Sequence, residues 1–268
     1  MLNIYIPNTS KQAIGGGWTF LDNFKKGIAG KEAQIVNTWQ ECDVVFIIGA
    51  TMTDRTEVEL AKKAGKKIVF RIDNMPKDSR NRGTAFSRMR DFALLADEII
   101  FQSEWAKVYV GDYLKFELKA PAMLNPQIVY NGVDTSVFNF NDHPQDRGEK
   151  YLYIQFNRDE NKRFPEVAYD FYVKNFKARN QDLVIPELFL IGQFSPELVG
   201  ANFDFFNKEV VHYTPPIADR EALANMYRTC QFLYFPAFAD ASPNTISEAM
   251  ACGCTPILTN VIGGTREV

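Results

Sequence analysis

The chain has 268 residues, of which 46% are hydrophobic and 24% charged, and its formal net charge is −3. This length and hydrophobic content suit two modest α/β domains. The slightly negative charge argues against a protein that binds nucleic acid by electrostatic attraction. No apolar run approaches the ~18 residues that a membrane-spanning helix needs, and no signal peptide precedes the first predicted strand. We therefore expect a cytoplasmic protein.

The N-terminal region predicts a strand, a glycine-rich loop and a helix. The strand covers residues 2–6, the loop contains Gly15, Gly16 and Gly17, and the helix covers residues 19–28. Glycines between a strand and a helix let backbone amides approach a phosphate or substrate closely. They lack the spacing of a dinucleotide fingerprint. Gly16 and Gly17 are therefore candidate ligand-binding residues, with a flexible loop as the alternative interpretation.

Predicted strands and helices alternate through the rest of the first domain. The strands cover residues 43–48, 67–72 and 98–102, and the helices cover residues 55–64, 79–96 and a segment that begins at Ser103. Asp73 follows a strand, so it could face an acceptor substrate or cap a turn. The helix from 79 to 96 carries Arg80, Arg82, Arg88 and Arg90. It could contact an anionic membrane peripherally, or pack its apolar side on the sheet.

A turn and a polar segment predict the boundary between two domains. Asn131 and Gly132 are typical turn residues within the segment 129–138,. The polar stretch 136–149 that follows indicates a linker. We therefore predict a first domain over residues 1–135 and a second over 150–268. The second domain opens with a predicted strand, 151–156, and continues with a charged segment, 157–163.

The most informative segment lies near the C-terminus. A predicted strand, 231–236, leads to Asp240, and a helix then runs to Cys252 and stops at Gly253, with a further strand at 255–258,. Ser242 is the predicted N-cap of this helix, and Pro243 its first residue. Asp240 should therefore lie in a loop beyond the carboxyl end of a strand, where ligands of open α/β sheets bind.

The residue types of this segment predict a ligand that combines phosphate with hydroxyl groups. The amides of Asn244 and Thr245 should lie in the first helical turn, which suits a phosphate. Asp240 and Glu248 can each accept hydrogen bonds from a diol with charge-assisted strength. A phosphate together with two diols describes a nucleotide sugar.

The string from Asp240 to Pro256 resembles the signature of the retaining family 4 (group 1) glycosyltransferases. That signature is Glu-x7-Glu followed by Ala-Met-Ala-Cys-Gly, and Asp240 stands where the family has its first Glu. The segments 129–138 and 263–267 also resemble family segments. The resemblance implies the GT-B fold, in which two Rossmann-like parallel-sheet domains face a cleft. Related enzymes continue beyond the 263–267 segment, so we expect the second domain to be incomplete at its C-terminus.

The resemblance also implies the reaction: transfer of a sugar from a UDP- or GDP-type donor to an acceptor hydroxyl, with retention and without a metal or cofactor. The acceptor would be a glycan, a lipid-linked molecule or a small molecule. By resemblance, Asp240 orients the sugar, Glu248 holds the ribose and the glycine-rich loop lines the cleft. Arg158 and Lys162 would grip the diphosphate, although Arg163 could be the second cation and a solvated charge cluster is the other interpretation. Preplaced cations stabilise a leaving diphosphate.

Two other functions remain compatible with these motifs. One is a nucleotide-sugar-binding remnant without turnover, and the other is a different GT-B sugar enzyme such as a phosphorylase or an epimerase. The four cysteines have no recognisable zinc-site spacing with the two histidines,. We therefore expect buried thiols, with no disulfide and no structural metal.

Overall fold

The computed structural model describes residues 1–7, 16–73, 83–112, 114–115, 119–140, 147, 149–155, 187–192, 211–237, 239–258 and 262–268. It divides into two compact units. The first comprises Met1–Gly132 together with Glu267–Val268, and the second comprises Val133–Arg266. We call them the first and the second domain. Each contains a parallel β-sheet, as the sequence predicts.

The first domain contains a six-stranded sheet in the order β2-β1-β3-β4-β5-β6. Every neighbouring pair is parallel. Its strands are β1 (Leu2–Tyr5), β2 (Ala33–Val36), β3 (Val44–Ile47), β4 (Lys67–Ile72), β5 (Glu98–Phe101) and β6 (Gln127–Ile128). Its α-helices include α1 (Gly16–Ile28), α2 (Arg55–Lys63), α3 (Gly83–Leu95) and α4 (Glu104–Asp112). Parallel strands covered on both faces are continuously apolar, which explains the buried runs in β3 and β4.

Helix α1 begins earlier than the sequence predicts. It starts at Gly16 rather than at residue 19, so Gly16 and Gly17 form its first turn instead of a loop. A Cβ atom on Gly17 would collide with the sulfur of Met52, so this first turn packs closely against another segment of the chain. A donor-binding role for the two glycines stays a prediction.

A side-chain cap marks the start of helix α4. In α4, the Ser103 hydroxyl accepts a hydrogen bond from the amide of Ala106 at 3.1 Å, which confirms the predicted cap,.

In α3, Met89 and Phe92 are buried, whereas Arg88 and Arg90 are exposed. The apolar side of α3 thus packs inside the first domain. Arg80 and Arg82 lie outside the described residues, and a peripheral membrane contact stays a prediction.

The second domain contains a five-stranded parallel sheet in the order β12-β10-β7-β8-β9. Two further strands, β11 and β13, form a separate short pair that the sequence did not predict. The strands are β7 (Lys150–Gln155), β8 (Glu187–Gly192), β9 (Val211–Thr214), β10 (Phe232–Phe235), β11 (Ala239–Asp240), β12 (Thr255–Leu258) and β13 (Ile262–Gly263). Its described helices are α5 (Arg220–Thr229) and α6 (Asn244–Ala251). None of the helices in the described ranges is both long and apolar enough to span a bilayer.

Helix α5 supplies much of the core of the second domain. Ala224 and Tyr227 pack with Leu233 of β10 and Ala249 of α6, and all four are buried. At its start, the Asp219 side chain accepts hydrogen bonds from the amides of Glu221 at 2.9 Å and Ala222 at 3.3 Å. This cap satisfies helix amides that have no partner within the helix.

We expect Asp219→Ala to lower the free energy of unfolding of the second domain by about 1 kcal/mol, because it removes both capping hydrogen bonds. Urea denaturation followed by circular dichroism measures the change. Asp219→Asn is the matched control, since an asparagine oxygen can accept the same bonds. Equal losses in the two variants would contradict the capping role.

Candidate functional site

Asp240 lies in a short strand rather than in the loop that the sequence predicts. Strand β11 pairs in parallel with β13, and Asp240 is the partner of Gly263. The Asp240 carboxylate also accepts a hydrogen bond from the amide of Ser242 at 3.2 Å. Its side chain is only partly buried. Strand pairing therefore fixes the backbone of this acid.

Gly263 makes this strand pairing possible. Its φ is +123°, a conformation that side-chain-bearing residues rarely adopt,. A Cβ atom there would also lie 2.5 Å from the carbonyl oxygen of Asp240 and 2.9 Å from its nitrogen. Both constraints require glycine, so Gly263 determines where the backbone of Asp240 can lie.

Helix α6 begins one residue later than predicted. Its first residue is Asn244, and Pro243 rather than Ser242 occupies the N-cap position. The reason is that the backbone of Pro243 is extended, with a ψ of 112°, so Pro243 precedes the helix rather than forming its first residue. Pro243 has no side-chain acceptor, so no side chain of the cap residue binds the first helical amides. Asn244 and Thr245 lie in the first turn, as predicted.

The opposite end of α6 is fixed by a glycine and a cation. Gly253, with a φ of +75°, follows the helix, which confirms the predicted stop,. The Arg147 guanidinium donates hydrogen bonds to the carbonyl of Cys252 at 2.8 Å and to that of Gly253. It also lies 4.9 Å from the centre of the Phe140 ring. A cation at this end of a helix is favourable because the helix dipole is negative there.

Glu248 is a buried carboxylate in α6, with only 9% of its surface exposed. Burial raises its pKa to about 7, against the attraction of Arg220 and the hydrogen bond from Tyr227. The Tyr227 hydroxyl donates to Glu248 Oε2 at 3.4 Å. Glutamate is rarely buried without partners, and a carboxylate perturbed in this way is typical of functional sites.

Residues of the 129–138 segment support the helix that faces Glu248. The Asp134 carboxylate lies 3.6 Å from Arg220 Nη1, and its backbone carbonyl accepts the amide of Phe138 at 2.9 Å. Phe138 is buried and meets the Tyr227 ring edge-on, with the ring centres 6.0 Å apart. Asp134 and Phe138 therefore contact Arg220 and Tyr227, the two residues of α5 that interact with Glu248.

The predicted diphosphate-binding cations lie outside the described residues. This applies to Arg158, Lys162 and the alternative Arg163, so their role stays a prediction. All four cysteines are buried and free. In the described ranges, no three His, Cys, Asp or Glu side chains cluster in a way that could hold a metal ion.

The first domain holds a buried polar cluster at the carboxyl ends of its central strands. The Arg71 guanidinium donates to the carbonyl of Ile48 at 3.0 Å and to the Asn131 side chain at 2.9 Å. It lies 3.9 Å from the centre of the Phe20 ring. Burial raises the pKa of Asp73, and the nearby Arg71 opposes this change. The sequence singled out Asp73 but missed Arg71, because an arginine within an apolar strand gives no sign of its partners. An acceptor-facing role for Asp73 stays a prediction.

Residues 162–268 match the family described as "Glycosyl transferases group 1". No curated protein matches the sequence. The structure is similar over its whole length to Anabaena HepE in complex with UDP, with a TM-score of 0.66, 15% identity and 82% of that chain covered.

Two other solved structures are similar. Sucrose-phosphate synthase from Thermosynechococcus elongatus has a TM-score of 0.69 and 13% identity, over 100% of this chain and 83% of the other. An alpha-glucosyltransferase in complex with UDP-glucose and DNA containing an abasic site has a TM-score of 0.64 and 14% identity, over 96% of this chain and 79% of the other. These similarities confirm the predicted two-domain GT-B fold, and the family match confirms the predicted resemblance to the group 1 glycosyltransferases.

Proposed function

We propose that this chain, which has the GT-B fold and matches the group 1 glycosyltransferases over residues 162–268, transfers a sugar from a nucleoside diphosphate to an acceptor hydroxyl. The observation that carries this proposal is the buried carboxylate of Glu248 within the matched region. Glu248 lies on the helix whose first turn contains Asn244 and Thr245. One short segment therefore contains both a carboxylate that can accept hydrogen bonds from a diol and backbone amides that can bind a phosphate.

Glu248 receives the ribose of the donor in this proposal. An ionised carboxylate only accepts hydrogen bonds, and its two oxygens can accept both hydroxyls of a ribose. Burial strengthens such bonds because water competes less for the same groups. The buried carboxylate therefore lowers the stability of the fold but supplies strong hydrogen-bond acceptors when the ribose binds.

Asp240 orients the transferred sugar, and helix α6 receives the diphosphate. The pairing with Gly263 fixes the backbone of Asp240, and precise placement of a hydrogen-bonding group contributes to rate through orientation. As the sugar leaves, negative charge grows on the diphosphate. The amides of Asn244 and Thr245, together with Arg158 and either Lys162 or Arg163, would stabilise that charge.

The donor would be of the UDP or GDP type, and transfer would retain the configuration of the sugar without a metal. The complexes of the similar structures with UDP and UDP-glucose support a UDP-type donor. The acceptor hydroxyl would bind to the first domain, with Asp73 as the candidate contact.

Calorimetric titration with UDP, GDP and their sugar conjugates, without metal, tests the proposal. We expect one nucleotide to bind, and Glu248→Ala to weaken binding at least about 30-fold, because loss of a charged acceptor typically costs ~2 kcal/mol. Glu149→Ala is the matched control, since Glu149 is an exposed acid of the same domain. Lack of binding to either nucleotide, or unchanged binding by Glu248→Ala, would contradict the proposal.

Transfer itself is measured by incubating the bound donor with glycan, lipid-linked and small-molecule acceptors. The anomeric configuration of the product, determined by NMR, tests retention. Nucleotide-sugar binding without transfer or hydrolysis would instead indicate a binding protein, and sugar release that depends on phosphate would indicate a phosphorylase.

A further inference from the structure

Tyr227 contacts Glu248 but has no role in the proposed binding of the donor. Tyr227 lies in α5 with 1% of its surface exposed, and its hydroxyl donates to Glu248 Oε2 at 3.4 Å. A buried phenol needs a hydrogen-bond partner. Phenylalanine would fill the same apolar space without this requirement, so packing alone does not explain the hydroxyl.

The ring of Tyr227 is held in place from a second direction. The Phe138 ring packs edge-on against it, and the Arg220 guanidinium lies 5.3 Å from the centre of the Phe138 ring. Arg220 in turn pairs with Asp134. Tyr227 is therefore a fixed donor, and the position of its oxygen is determined by the surrounding core rather than by Glu248.

We propose that Tyr227 is a positioning residue for Glu248, and that its hydroxyl holds Oε2 so that the carboxylate presents its remaining acceptor capacity to the ribose diol of a nucleotide. This inference rests on the proposed function. A carboxylate has about four acceptor positions on two oxygens, and an unrestrained one would rotate. A donor on one oxygen selects the orientation in advance, which lowers the entropy cost of binding.

The charged and titratable groups around Glu248 determine how binding depends on pH. Arg220 and Tyr227 face it from α5, and Cys252 faces it from the end of α6. Burial raises the pKa of Glu248 to about 7, and the Tyr227 hydrogen bond acts in the opposite direction. Since both ribose hydroxyls need acceptors, the ribose-dependent part of binding should grow as the pH rises through about 7. Without the Tyr227 hydroxyl, this rise should move to higher pH.

The test compares UDP with 2′-deoxy-UDP, and GDP with 2′-deoxy-GDP, in calorimetric titrations from about pH 5.5 to 8.5. The two members of each pair share the base, the diphosphate and the 3′-hydroxyl, so the ratio of their affinities isolates the 2′-hydroxyl of the ribose. We expect Tyr227→Phe to reduce the preference for the ribose nucleotide about tenfold at pH 7, as expected for a hydrogen bond to a charged group. The deoxy nucleotide keeps only the 3′-hydroxyl for Glu248, so its affinity should fall less in the variant than the affinity of the ribose nucleotide.

Tyr151→Phe is the matched control, because it removes a hydroxyl from another buried tyrosine, near the amino end of β7. It should leave the ribose preference unchanged. Thermal unfolding followed by circular dichroism checks that both variants are folded. Comparison of the pH dependence of the affinity ratio in Tyr227→Phe and in the parent protein provides a second readout.

Three results would overturn the inference. A Tyr227→Phe protein that keeps the full ribose preference would overturn the positioning role while leaving the proposed function intact. A Tyr227→Phe protein whose ribose preference rises at the same pH as that of the parent protein would do the same. If the parent protein binds neither UDP nor GDP, the proposed function fails, and this inference fails with it.

Discussion

Glu248→Gln should stabilise the unliganded protein at pH 8 by about 3 kcal/mol while weakening nucleotide binding at least about tenfold. The folded state raises the pKa of Glu248 from 4.5 to about 7 because the carboxyl group is buried. A difference of one pKa unit between the folded and unfolded states changes the free energy of unfolding by about 1.4 kcal/mol. Glutamine fills the same volume without a charge, so it avoids the cost of a buried carboxylate.

The sign of the pH dependence follows from the direction in which the pKa changes. A carboxyl group whose pKa is higher in the folded state contributes stability that is fully present below its unfolded value. That contribution is lost as the pH rises through about 7,. The stability of Glu248→Gln relative to the parent should therefore be constant below about pH 4 and increase between about pH 5 and 8.

Urea denaturation at a series of pH values measures this difference. Glu149→Gln, the same change at an exposed acid of the second domain, should show no comparable increase. A stability difference between Glu248→Gln and the parent that does not depend on pH would show that Glu248 is not held at a raised pKa. The expected opposition between stability and binding is typical of functional sites.

Gly263→Ala should lower the free energy of unfolding by about 3 kcal/mol and weaken nucleotide-sugar binding at least about tenfold. At a φ of +123°, alanine is strained, and its Cβ would meet the Asp240 carbonyl oxygen at 2.5 Å. Because the obstacle is backbone, no side-chain rotation relieves it. Strand β13 must move away, and the backbone of Asp240 loses its pairing partner.

Thermal denaturation and calorimetric titration with the sugar conjugate measure the two effects. Gly132→Ala is the control, since a Cβ atom there would meet nothing within 4 Å, and it should change neither quantity appreciably. Unaltered donor binding by Gly263→Ala would show that the pairing of β11 with β13 does not position Asp240. Binding of the free nucleotide should fall less than binding of its sugar conjugate, because Asp240 is proposed to contact the sugar.

The long apolar segments could be predicted from the sequence because their pattern is local. Strands β4 and β12 have the predicted bounds, and the predicted stop, Gly253, follows the end of α6. Glu248 could be selected as a candidate for a related reason, because it stands at a fixed spacing within a recognisable string of residues. Patterns of this kind predict the structure well because local sequence, rather than contacts with distant segments, determines these elements.

The features that the sequence did not reveal depend on contacts between distant segments. The strands β11 and β13 have two residues each, too few for an alternating pattern. Tyr227 and Glu248 lie on different helices, and nothing in either helix alone indicates which faces meet. Gly17, in the first turn of α1, packs against Met52, which lies far along the chain. Each of these features is determined by tertiary packing.

The four buried thiols provide a natural set of reporters of local opening. Burial raises the pKa of Cys42, Cys230, Cys252 and Cys254, and the thiolate is the form that reacts with alkylating reagents. Each therefore reacts only when the surrounding structure opens. Cys42 belongs to the first domain and the other three to the second. Mass spectrometry of alkylated peptides thus follows the opening of either domain without an introduced cysteine. A bound nucleotide should slow the reaction of Cys252, which follows the helix that carries Glu248.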